Sequence, residues 1–121
     1  MHYSDKQVSL MKRFLVYITT ADKDEARTIG RYLVQSKLAA CVNIFDQMNS
    51  MYEWQGEFRD DCEAVMIAKT TEERVSSLIA AVRERHSYQC PCIVTVPIVD
   101  GNPDFLRWID DQVRFQHLPN K

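Results

Sequence analysis

No apolar run in this chain approaches the roughly 20 residues that a membrane-spanning helix requires. The opening segment, MHYSDKQVSLMKRFLVYITT, lacks the order of a signal peptide. Its charges are mixed, and FLVYI is too short for a signal core and reads as a strand. A cytoplasmic protein is the expectation, with no membrane partner. Positive charge is not in excess either: 15 Lys+Arg face 17 Asp+Glu, a formal net charge of −2. A general nucleic-acid binder normally carries a basic surplus, so that class is set aside. There is no low-complexity tract or linker. No Ser-His-Asp order, phosphate loop or paired-carboxylate motif is present.

What is present suits one globular domain. The chain has 121 residues, 45% hydrophobic and 26% charged. That length buries about two-thirds of the unfolded surface, so neither metal nor disulfide is needed merely to fold. Cys41, Cys62, Cys90 and Cys92 are then expected as thiols. Residues 1–12 are polar and aperiodic and read as a frayed tail, 13–115 as the domain and 116–121 as a second tail. His2 and His117 fall in those tails and receive no role.

Phe14 to Thr20 is a β-branched and aromatic run, hence a strand. Asp22 can cap a helix bearing Ala26, Ile29, Gly30, Leu33 and Val34, ending near Ser36 or Lys37. Two extended runs follow, from Cys41 to Phe45 and from Met51 to Trp54. A turn at Gln55-Gly56-Glu57 returns the chain as a strand from Cys62 to Lys69, a long hairpin. Thr70 and Glu73 match a capping box before Val75, Leu78, Ile79 and Val82. His86 ends that helix. A strand from Ile93 to Val99 contains Pro97, which argues for an edge or a bulge. Pro103 suits the first turn of a last helix carrying Phe105, Leu106, Trp108, Ile109 and Val113.

The order is strand, helix, strand, strand, helix, strand, helix. This is an α+β chain, a ferredoxin-like split βαβ sandwich with a long central hairpin and an extra C-terminal helix. Met48, Met51, Tyr52, Trp54 and Phe58 give the hairpin more apolar surface than one thin layer needs. The expectation is that it packs against copies of the same chain.

His86, Cys90 and Cys92 are the candidates for metal chemistry, because imidazole and thiolate suit copper and zinc. If residues 90–92 are extended, the two thiols share a face, and His86 could turn toward them. Cys-Pro-Cys lacks the spacing of a common zinc motif, and buried structural thiols are the plain alternative. His86 alone could cap the free carbonyls of its helix. Cys41 reads as a buried strand thiol. Cys62 follows Asp60 and Asp61, an acidic setting that disfavours a nucleophile. Tyr52, Trp54, Lys69 and Tyr88 could line a cleft between subunits, with Lys69 answering an anion. Trp108 reads as core beneath the last helix.

Five segments stand in a recognisable order: Leu38 to Asn43, Tyr52 to Gly56, Lys69-Thr70, His86 to Pro91, and Gly101 to Phe105. In that order and spacing the chain resembles the divalent-cation tolerance protein family (CutA), from about Phe14 to about Val113. The resemblance implies a ferredoxin-like fold, a homotrimer with sheets joined edge to edge, and a link to tolerance of copper and other divalent metals. It implies no catalysed reaction and no organic cofactor. Three positions depart from the family pattern. Ser87 stands where Pro is frequent, and Cys92 where Glu follows the proline. Ile18 stands where the copper-associated bacterial member has a cysteine, so that member's ligand set does not transfer intact. The leading expectation is a homotrimeric binder of copper or another divalent metal. The alternative is a trimeric signalling or scaffold module taking a small anion or a partner protein in its clefts. A cysteine-dependent enzyme is a weaker third.

Overall fold

The structure is a computed structural model and describes residues 12–114. The tails proposed for the two ends fall outside those residues, apart from Lys12. Seven elements follow one another: β1 (Arg13–Thr20), α1 (Lys23–Gln35), β2 (Cys41–Trp54), β3 (Glu57–Thr71), α2 (Glu72–Arg85), β4 (Ile93–Ile98) and α3 (Pro103–Val113). The four strands form one sheet in the order β2-β3-β1-β4, and each adjacent pair is antiparallel. This is the ferredoxin-like arrangement that the element order implies.

Period-two alternation sorts the strands into two faces. Val16 and Ile18 of β1 and Ala64, Met66 and Ala68 of β3 point to one of them. There they bury against Ile29 and Leu33 of α1 and Leu78, Ala81 and Val82 of α2. Gly30 permits the closest approach: a Cβ built there would stand 3.2 Å from Val42 Cγ1. Arg13 belongs to the opposite face. Its guanidinium meets the Asp110 carboxylate through Nε–Oδ1 at 2.9 Å and Nη2–Oδ2 at 2.6 Å, with both side chains buried. That pair, with Ile109 and Val113 packed on Ala40, seats α3 over one end of the second face. The rest of the second face stays open, with Phe45 56%, Val94 50% and Val96 48% exposed.

Local chemistry explains the boundaries. Asp22 caps α1, accepting Glu25 N–H at 2.8 Å, as the sequence predicts. The capping box proposed at Thr70 does not form. Thr71 is the N-cap and makes no side-chain capping bond. Thr71 still pairs with Arg13 in the sheet, so β3 runs two residues further than the apolar pattern suggests. Thr70, fully buried in the strand, donates its hydroxyl to the Leu38 carbonyl at 2.7 Å. The two runs read in the 41–54 stretch are one strand, bent by a register shift between Phe45 and Met48, where Gln47 has φ 59°. Pro97 lies on β4, an edge strand, where a missing N–H is tolerated. Trp108 is not core. Leu106, Ile109 and Val113 take the inward stripe of α3, while Trp108, 39% exposed, stacks on Phe105 with ring centroids 5.4 Å apart.

Candidate functional site

The His86 to Cys92 loop connects α2 to β4 and lies against the end of β1. His86 follows the last turn of α2 with an extended backbone, and its side chain is fully buried. Both ring nitrogens are engaged. Nδ1 accepts the Tyr88 N–H at 3.1 Å, which leaves Nε2 as the donor to the Thr19 carbonyl at 2.7 Å. The ring tilts over Tyr88 with centroids 4.8 Å apart. His86 therefore ties the loop to β1, and neither nitrogen points to a free space.

Glu25 of α1 is the second tie, and no sequence motif singled it out. Its Oε2 accepts the Ser87 N–H at 2.7 Å. Its Oε1 accepts the Ser87 hydroxyl at 3.1 Å and the Ala21 N–H at 3.0 Å. Burial pushes its pKa up, but the hydrogen bonds from Ala21 and Ser87 outweigh that, and the net shift is downward. Asp22 and Glu25 stand at capping-box spacing, the one local signal that could have pointed to Glu25. The long-range partner Ser87, 62 residues away, gives no such signal.

Beyond this joint a cavity of about 640 Å³ opens between the loop and the far half of the hairpin. Tyr52 and Trp54 of β2, Arg59, Asp61, Cys62 and Glu63 of β3, and Tyr88, Cys90 and Cys92 of the loop line it. Two phenol–carboxylate pairs brace its wall. Tyr88 donates to Glu63 Oε2 at 2.6 Å, and Tyr52 to Asp61 Oδ2 at 2.6 Å. Burial, then the bond to Glu63, drives the Tyr88 pKa far up, so the phenol stays a donor. The Tyr52 hydroxyl is shifted the same way, first by its bond to Asp61. Burial, followed by the Glu63 and Cys90 charges, also raises the Cys92 thiol, which limits its thiolate at neutral pH.

The structure thus brings Tyr52, Trp54, Tyr88, Cys90 and Cys92 to one cavity, and keeps His86 behind its wall. Cys90 and Cys92 are exposed free thiols rather than core. Among the described residues no three His, Cys, Asp or Glu side chains converge to hold a metal ion. Lys69 stands elsewhere. It is six residues from Glu63 along β3, about 20 Å at strand rise, and its ammonium reaches Asn43 Oδ1 and Cys41 Sγ. Cys41 is half-buried beneath it on the open face, not sealed in the core.

A four-stranded antiparallel sheet, two helices on one face and a cavity at the hairpin end define a small ferredoxin-like α+β domain. Comparison with known proteins gives its family. The profile of "CutA1 divalent ion tolerance protein" matches residues 14–112. The Thermus thermophilus divalent-cation tolerance protein CutA is 42% identical over 95 residues, covering 78% of this chain and 92% of that one. A Xenopus laevis CutA homolog is 41% identical over 97 residues, 80% of this chain, but the match spans only 64% of the frog protein. The structure of the Archaeoglobus fulgidus protein, described as periplasmic, superposes with a TM-score of 0.82 at 40% identity, covering 84% of this chain and 99% of that one. CutA1 from Oryza sativa gives a TM-score of 0.85 at 31% identity, covering 89% and 99%. The chain belongs to the CutA1 divalent ion tolerance family. No helix among the described residues is long and apolar enough to cross a membrane.

Proposed function

We propose that this chain acts in the response to divalent metal ions as a cytoplasmic homotrimer that binds copper or another divalent metal and catalyses no reaction. The family supplies the metal context. The observation that carries the site is the pair of exposed thiols, Cys90 and Cys92, at one cavity wall. Thiolates select soft ions such as Cu(I) and Zn(II). His86 enters this reading as a positioning residue, because its two nitrogens hold the loop that presents the thiols. Two thiols leave further coordination positions to fill, and this reading assigns a third ligand to an adjoining copy of the chain.

Titration of Cu(I) and Zn(II) into reduced protein tests the assignment. Cys90→Ser/Cys92→Ser is expected to lose affinity at least tenfold while keeping its fold. His86→Ala is expected to weaken binding in proportion to its loss of stability. Affinity unchanged in the double serine variant removes the site. The compartment is checked by localising the tagged full chain.

A further inference from the structure

The cavity holds a feature that metal binding leaves unexplained. Glu63 is 8% exposed, and its Oε2 is answered by the Tyr88 hydroxyl. Its Oε1 has no donor among the described residues. A buried carboxylate facing only a neutral phenol is costly unless a cation reaches it. The cationic side chain on the lining does not supply one. Arg59 stands four residues down the strand, about 13 Å at strand rise, and its Nη2 contacts Asp61 Oδ1 at 3.4 Å. Asp61 thus has a guanidinium and a phenol, whereas Glu63 has a phenol alone.

The remaining lining is aromatic. Tyr52, Trp54 and Tyr88 share the cavity with Glu63. Aromatic faces attract cations and also accept hydrocarbon. The volume of about 640 Å³ lies in the range of small-molecule sites. The uncompensated charge is negative, so this cavity favours a cation over an anion. Among the described residues Glu63 belongs to no group of three ligating side chains, so a metal ion held by the loop thiols leaves its charge unanswered.

We propose that this cavity binds a small organic ammonium ion, a primary amine whose N–H donors meet Glu63 Oε1 and whose hydrocarbon part lies among Tyr52, Trp54 and Tyr88. The ammonium site shares its cavity with Cys90 and Cys92 but uses neither thiol, so it does not depend on the metal reading.

The test uses the full chain carrying Trp108→Phe, so that Trp54 is the one remaining tryptophan. Phenethylammonium and n-butylammonium chloride are titrated in the presence of EDTA, against sodium chloride and sodium butyrate at equal ionic strength. The expected result is saturable change of Trp54 fluorescence with both amines and none with either sodium salt. Glu63→Gln is expected to weaken binding at least tenfold. If that variant does not fold, Tyr88→Phe and Tyr52→Leu carry the test, each lowering affinity severalfold in a folded protein. Absence of saturation by the amines, equal response to butyrate, or undiminished binding in these variants overturns the proposal. A cavity already filled by a cation of a neighbouring copy gives the first of those results and overturns it too.

Discussion

At the scale of single residues, two side chains hold the candidate site in shape without lining it. His86 answers one backbone carbonyl and one backbone amide, both in part-buried settings. His86→Phe keeps the volume and removes both bonds. A loss of about 1–3 kcal/mol for each group left unsatisfied is expected in urea denaturation. A variant as stable as wild type would show that the loop does not need this tie. Glu25 adds a pH dependence whose sign follows from its lowered pKa. The unfolded chain binds the proton more tightly, so the contribution of Glu25 is present above the unfolded value and lost as pH falls through the folded one. Stability is therefore expected to drop with acidification below the ordinary carboxyl value of 4.5. Glu25→Gln should be less stable than wild type at pH 7 and converge on it near the acid end. Parallel curves for the two proteins would contradict this.

At the scale of elements, the hairpin of β2 and β3 is pinned by its turn. Gln55 and Gly56 both have positive φ, 53° and 82°, the conformation of a tight two-residue hairpin turn. A Cβ on Gly56 would meet nothing within 4 Å, so the cost of Gly56→Ala is conformational alone. A loss of about 1 kcal/mol is expected, and Gln55→Gly should recover part of it; denaturation midpoints measure both. This turn was legible from Gln55-Gly56-Glu57, as were Asp22 as a cap, the inward stripe of α1 and the edge position of Pro97. Those features depend on a few adjacent residues. The features that escaped depend on distant ones. Arg13 extends β3 past Thr70, which displaces the capping box. The Phe105–Trp108 stack leaves an aromatic at the surface that hydrophobicity alone assigns to the core. At the site, the aromatic lining and both loop thiols were readable as candidates. The enclosure of His86 and the roles of Glu25 and Glu63 were not, because they arise where β1, α1, β3 and the loop meet.

At the scale of the whole molecule, the sheet is finished on one side only. Cross-strand neighbours share a face, so Leu15 lies between Lys69 and Val96, and Tyr17 between Ile67 and Val94. With Phe45 and Val65 these residues form an apolar surface that α3 covers at one end. The outer edge of β2, 14 residues long, has no strand partner among the described residues. An open apolar face beside an unpaired edge is a liability that self-association relieves. Assembly binds the folded chain and not the unfolded one, so the melting temperature should rise with protein concentration. Val96→Asp sets a charge in the middle of the face without touching the helical core. It should give a monomer in sedimentation, with a lower melting temperature that no longer depends on concentration. A wild-type chain that sediments as a monomer at micromolar concentration, with a concentration-independent melt, would mean that the face is stable in water as it stands. The ligand sought by Cys90 and Cys92 from an adjoining copy would then have no source. The Glu63 cavity, built from one chain, would remain.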